Sequence, residues 1–186
     1  MLSPWIAEPE ALELLKVWSA EIDLDLVRLG TTANADEIKD TANAQPLIVA
    51  AGLLGARVLS DSRFTVVAGH SVGEITAAAL AGVFSEIDAM KLVRTRGLEM
   101  AKAAALKPAG MAAVLGGDRT LVLKAISDLG LVAANDNGAG QIVAAGDLDA
   151  LGQLAPEGAR VRALAVAGAF HTTYMQPAVE PLRALA

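Results

Sequence analysis

Phe64-Thr65-Val66-Val67-Ala68-Gly69-His70-Ser71-Val72-Gly73-Glu74 is the stretch that decides the fold. An apolar run over Arg63 to Ala68 predicts a strand, and the Ala-rich segment Glu74 to Ala81 predicts a helix. Between them Gly69-His70-Ser71-Val72-Gly73 has the form G-x-S-x-G. Strand, glycine-bounded turn and helix form the context in which this motif is a nucleophile elbow. The glycines make room for a sharp turn that a Cβ would obstruct. The turn lifts the serine hydroxyl above the strand end, and the helix start supplies backbone N–H groups where negative charge would develop. The alternative is a Gly-Ser loop without chemistry, and both flanks argue against it.

Outward from the elbow the pattern is largely helical on the N-terminal side. Leu12, Leu15 and Trp18 recur at helical spacing behind Pro9, predicting a helix over Pro9 to Ala20. The stretch from Asp23 to Asp40 is interrupted by Gly30 and Asn34, which read as breakers, and Ala44 to Leu59 predicts a strongly apolar helix. Beyond the elbow helix, Gly82 is placed as a C-terminal cap. Ser85-Glu86-Ile87-Asp88 resembles a capping box and opens a helix with Met90, Val93, Gly97, Met100 and Ala101 near one face.

From Met111 the period changes. Strands are predicted over Met111–Gly116, Leu131–Asn135, Gln141–Ala145 and Val161–Ala167. Helices capped by Asp118 and Asp147 lie between them, and Asn137-Gly138 marks a hairpin turn. The order β-α-β-β-α-β is the ferredoxin-like pattern. The expected fold class is therefore α/β, an α/β-hydrolase-like body (1–109 and 168–186) with an inserted ferredoxin-like subdomain (110–167). From His171 a helical pattern returns.

Composition limits the function. The chain has 186 residues and a net charge of −6, with no basic cluster, which argues against nucleic acid as a partner. With no cysteine and only two histidines, a disulfide framework and a metal site are both disfavoured. Mean hydropathy is +0.46, but the longest apolar stretch, Pro46 to Ala56, is too short to cross a membrane. Without a basic leader at Met1-Leu2-Ser3-Pro4, a cytoplasmic soluble protein is the simplest expectation.

A serine hydroxyl needs a base to remove its proton. His70 neighbours Ser71 in the turn and points elsewhere, which leaves His171 as the candidate base, in the order Ser then His. Asp118, Asp128, Asp136, Asp147 and Asp149 follow the serine, yet no spacing selects one as a third member, so a Ser-His dyad is expected. Arg96 precedes Gly97 within a helix, where glycine costs about 1 kcal/mol relative to alanine. That cost points to close packing or to room for a ligand. An arginine fork near the serine would bind a carboxylate, although spacing alone favours a solvated helix arginine.

Taken together, several segments resemble the malonyl-CoA:acyl carrier protein transacylase family. They are Gln45-Pro46, Gly69-His70-Ser71-Val72-Gly73-Glu74, Arg96-Gly97-Leu98-Glu99-Met100, Gly110-Met111-Ala112-Ala113-Val114, Gly140-Gln141-Ile142-Val143-Ala144-Ala145-Gly146, and Phe170-His171 with Met175. The resemblance implies transfer of a malonyl group from malonyl-CoA to acyl carrier protein in fatty acid biosynthesis, without a cofactor. It implies Ser71 and His171 as catalytic residues, Arg96 on the malonyl carboxylate, Gln45 and His70 lining the site, and the Val72 N–H in the oxyanion hole. Members of the family open with a strand and a Gly-Gln-Gly-Ser-Gln loop and continue past the segment ending here. The sequence therefore looks cut at both ends and is expected to be weakly active or inactive. Two competing readings are a serine esterase or thioesterase of the α/β-hydrolase class, which has no use for Arg96, and a non-catalytic carrier-binding relative.

Overall fold

The computed structural model describes residues 1–59, 64–166 and 168–185. The chain is α/β, with a small antiparallel sheet, and it divides into two compact units. One unit holds Met1–Leu98 with Leu182–Ala186 and the other holds Glu99–Pro181. The two divisions fall inside helices, at 98/99 and 181/182, where the sequence placed them at 109/110 and 167/168. Among the described residues, no helix is long and apolar enough to cross a membrane.

The first unit is helical among its described residues: α1 (Pro9–Ile22), α2 (Leu26–Thr31), α3 (Ala35–Lys39), α4 (Thr41–Val58), α5 (Gly73–Leu80) and the first part of α6 (Glu86–Leu106). Its core gathers Leu15, Trp18 and Ile22 of α1, Leu47, Leu53 and Leu54 of α4, and Met90 and Val93 of α6. Two elements differ from expectation. Asp25 and Asn34 each accept a backbone N–H and start the short helices α2 and α3, where breakers were expected. Gly30 lies buried within α2, because the Leu2 side chain occupies the space a Cβ would need.

The strand expected at 63–68 is absent among the described residues: 64–70 enters no ladder, and Arg63 lies outside them. A strand exists by hydrogen bonding to a neighbour, and no described strand pairs with this segment. Phe64 and Val66 are instead exposed, at 58% and 80%.

α4 and α6 meet through backbone. Pro46 lies inside α4 and has no N–H, so the Ala42 carbonyl loses its ordinary i+4 donor. Arg94 of α6 fills the vacancy, donating from Nη1 to that carbonyl at 3.0 Å. One turn on, Gly97 sits so close that an added Cβ would lie 2.9 Å from the Thr41 carbonyl oxygen and 3.1 Å from Ala42 Cα. The cost of a mid-helix glycine is thus explained by close packing.

The second unit carries β1 (Ala109–Gly116), α7 (Arg119–Asp128), β2 (Val132–Asp136), β3 (Gln141–Asp147), α8 (Leu148–Gln153) and β4 (Ala159–Ala163). A 3₁₀ segment, Thr173–Ala178, and the first part of α9 (Val179–Arg183) follow. The sheet order is β2-β3-β1-β4, antiparallel throughout. Asp118 and Asp147 cap α7 and α8 as expected. Val114, Ile142 and Ala144 pack with Val122 and Ile126 of α7, while Met111, Val143 and Ala145 pack with Ala169 and Phe170. Strand alternation thus gives each cluster its own set of side chains. The last strand ends earlier than the expected 161–167. Leu164 still donates to the Met111 carbonyl, but Val166 N–H turns back to the Leu164 carbonyl, and Ala167 lies outside the described residues.

The α4–α6 clasp makes a testable prediction. Arg94→Ala lowers the unfolding free energy by ~1–3 kcal/mol in urea, because a carbonyl loses its donor. Pro46→Ala restores an N–H at position 46, so in that background Arg94→Ala costs about 1 kcal/mol less. Additive losses would show that the proline does not create Arg94's acceptor.

Candidate active site

Ser71 has φ of +54°, in the left-handed region. For a residue with a Cβ this costs roughly 1–2 kcal/mol. The turn is held by Gly73 N–H to the His70 carbonyl at 3.0 Å, Glu74 N–H to the Ser71 carbonyl at 3.1 Å and Ile75 N–H to the Val72 carbonyl at 3.2 Å. These bonds lead directly into α5, and Val72 is its N-cap. The two glycines are not equivalent. A Cβ on Gly69 would lie 2.1 Å from the Gly73 carbonyl oxygen, whereas one on Gly73 would meet nothing within 4 Å. Steric necessity therefore rests on Gly69 alone.

Arg96 comes to this turn from α6. Its Nη2 donates to Ser71 Oγ at 3.3 Å, and its Nη1 donates to Gln45 Oε1. Gln45 is buried in α4, and its Nε2 donates to Thr41 Oγ1 at 2.6 Å. Burial pushes the Arg96 pKa down from its ordinary value, and the negative charge of Glu74 in the first turn of α5 opposes that. Guanidinium pKa values start so high that the group stays charged. Among the described residues Arg96 forms no salt bridge, so a partly desolvated cation beside a serine hydroxyl is held by neutral groups. Such a cation is suited to an anionic ligand.

The first unit thus brings together Ser71, Arg96 and Gln45 of the sequence-derived residues, with His70 and Val72 flanking the serine in the turn. His70 is exposed, and its carbonyl is part of the turn. His171 belongs to the second unit. There it is exposed, at φ +59°, on a well-anchored segment. Ala169 is fully buried and Phe170 packs against Met111 and Val143 on one side and Met100 and Ala103 on the other. Thr172 Oγ1 donates to the Ala169 carbonyl at 2.6 Å and accepts from Tyr174 N–H at 3.2 Å. Gly168 permits this path, since a Cβ there would lie 2.8 Å from Ala104 Cβ of α6. No cluster of His, Asp or Glu able to hold a metal ion occurs among the described residues.

Sequence reasoning missed Thr41, Arg94 and Glu74. Pro46 carried the available signal for Arg94, because a helix-interior proline frees the carbonyl four residues before it.

A family model, the acyl transferase domain, matches residues 15–186. Among similar proteins, the malonyl CoA-acyl carrier protein transacylase of Mycobacterium tuberculosis (strain H37Rv) is 57% identical over 194 residues, covering 100% of this chain and 64% of that protein. The protein of the same description from Mycolicibacterium smegmatis is 56% identical over 193 residues, covering 100% of this chain and 67% of its own length. The crystal structure of MCAT from Mycobacterium tuberculosis is similar with a TM-score of 0.93 at 57% identity, over 99% of this chain and 64% of that one. That of malonyl CoA-acyl carrier protein transacylase from Clostridium perfringens is similar with a TM-score of 0.88 at 29% identity, over 100% and 62%. The chain therefore spans a little under two thirds of the length of most of these proteins.

The elbow geometry predicts a split between its glycines. Gly69→Ala lowers the unfolding free energy by roughly 2 kcal/mol or more, since its Cβ meets backbone that cannot yield. Gly73→Ala stays within about 0.5 kcal/mol of the parent or gains helix propensity. Denaturant titrations of both variants test this, and equal losses would contradict the assigned turn.

Proposed function

We propose, for a chain that belongs to the acyl transferase domain family, the transfer of a malonyl group from malonyl-CoA to the phosphopantetheine thiol of acyl carrier protein in fatty acid biosynthesis. The observation that carries this reading is the partly desolvated Arg96 guanidinium donating to Ser71 Oγ. A serine esterase has no need of a cation at that position, whereas an acyl group ending in a carboxylate does.

The chemistry is a ping-pong exchange. Ser71 Oγ attacks the thioester carbon, His171 takes the hydroxyl proton, and the tetrahedral oxyanion collapses with loss of the CoA thiolate, which receives that proton from His171. A malonyl-serine ester remains. The carrier's thiol then gives its proton to His171 and attacks the ester, and Ser71 recovers the proton as it leaves. Val72 N–H at the start of α5 supplies one oxyanion donor, a contribution worth about 10²–10³ in rate. Arg96 receives the malonyl carboxylate through its fork, with Gln45 and His70 bordering the pocket. No step calls for a cofactor, and the activity fits a cytoplasmic enzyme. The sheet order β2-β3-β1-β4 supports a ferredoxin-like subdomain over 110–167. The elbow turn leading into α5 supports a hydrolase-like body over 1–109 and 168–186.

Intact-mass measurement after incubation with malonyl-CoA or acetyl-CoA tests the reading, because adduct formation needs a single turnover. A malonyl adduct on Ser71, in clear preference to acetyl, is expected. Ser71→Ala abolishes the adduct. His171→Ala slows adduct formation by about 10²-fold or more. Arg96→Ala lowers the malonyl preference by about 10²-fold, the equivalent of losing roughly 3 kcal/mol of a desolvated charge pair. Equal labelling by the two thioesters overturns the assignment, and no labelling of the parent chain replaces it with the non-catalytic carrier-binding reading.

A further inference from the structure

Thr41 and Gln45 are buried polar side chains, 6% and 5% exposed, one turn apart on α4. Buried polar groups persist where each finds a partner, and no buried side-chain nitrogen or oxygen lacks one among the described residues. Their order of donation has a fixed direction. A guanidinium only donates, so Arg96 requires that Gln45 present its oxygen. The Gln45 amide nitrogen must then find an acceptor on the far side, which is Thr41 Oγ1 at 2.6 Å. The other end of the relay is Ser71, reached by Arg96 Nη2 at 3.3 Å.

The backbone around the relay is rigidly registered. Gly97 lies directly on the Thr41 carbonyl, and Arg94 is bonded to the Ala42 carbonyl. Side chains of α6 thus approach the first turn of α4 at a set height, and the Thr41 hydroxyl lies where the Gln45 amide ends. Removing that hydroxyl takes away the acceptor that the buried Gln45 amide holds at 2.6 Å. Gln45 would then turn to find another, and Arg96 would lose the contact that orients its plane.

Resting on the reading that Arg96 receives the substrate carboxylate, we propose that Thr41 is a positioning residue for acyl selection: through Gln45 it sets the plane of the Arg96 fork beside Ser71. Thr41 touches no reacting atom. Its effect falls on recognition of the carboxylate and not on the reactivity of the serine.

The test uses the full chain and follows Ser71 acylation by intact mass over a range of malonyl-CoA and acetyl-CoA concentrations. Thr41→Val, which keeps the shape and removes the acceptor, is expected to lower the malonyl-to-acetyl ratio about tenfold. The loss should appear as a higher half-saturating malonyl-CoA concentration with little change in the maximal rate. Thr41→Ser, which retains the hydroxyl, restores the ratio to within about twofold. Thr41→Ala serves if the valine chain does not fold. In a Gln45→Leu background, Thr41→Val should add no further loss of selectivity. Unchanged selectivity in the Thr41→Val and Thr41→Ala chains overturns the inference. An equal loss for both thioesters that serine does not restore also overturns it, since that marks a structural role. A parent chain that prefers malonyl while these variants keep the preference sinks only the role of Thr41. A parent chain without the preference sinks the reading of Arg96 as well.

Discussion

A missing hydrogen on Pro46 is the constraint on which the first unit's site depends. Proline inside α4 removes the donor that would have satisfied the Ala42 carbonyl, and Arg94 of α6 supplies it at 3.0 Å. Gly97 then allows the two backbones to approach until a Cβ would collide with the Thr41 carbonyl. A side-chain-to-backbone bond and a glycine contact fix both height and rotation of α6 against α4. Arg96 lies between Arg94 and Gly97 in sequence, so its position follows from theirs.

The clasp matters because of the electrostatics it imposes. A guanidinium taken partly out of water, with amide and hydroxyl partners, keeps its charge but leaves it uncompensated. Glu74 relieves the cost at a distance without forming a salt bridge. An oriented charge of this kind requires little reorganisation when an anion arrives, which is the condition for electrostatic recognition beside a nucleophile. The strained backbone at Ser71 fits the same economy of motion: φ of +54° is held by the three turn bonds into α5 and by Gly69, where a Cβ would collide with the Gly73 carbonyl. In the second unit, His171 occupies a comparable left-handed position, anchored by Phe170 between two apolar clusters.

Much of this was legible in the sequence where local chemistry decides the outcome. Asp118, Asp147 and Ser85 announced helix starts, and Asn137-Gly138 announced the hairpin, because caps and turns act within a few residues. The pair Arg96-Gly97 was legible as close packing or room for a ligand, and Gly97 lies against the Thr41 carbonyl. The apolar run 64–68 was misread because apolar composition reports a tendency to be buried, while a strand requires a partner. The helices α2 and α3 were hidden because they are too short to display a period, and their caps, Asp25 and Asn34, resemble loop residues. Thr41 escaped for a related reason: a threonine at a helix start reads as ordinary N-terminal chemistry, and its partner four residues on shows only in three dimensions. Arg94 escaped because its acceptor is a backbone carbonyl, marked in the sequence only by the proline four residues on.

The central claim is that the charge of Arg96, held beside Ser71, selects an acyl group by its carboxylate. The most direct measurement compares Ser71 acylation by malonyl-CoA with acylation by its methyl ester, which retains the acyl skeleton and reactive thioester but lacks the charge. The account predicts that the ester acylates the parent chain about 10²-fold more slowly and that Arg96→Ala removes most of the difference. Equal rates for the two thioesters in the parent chain would contradict it.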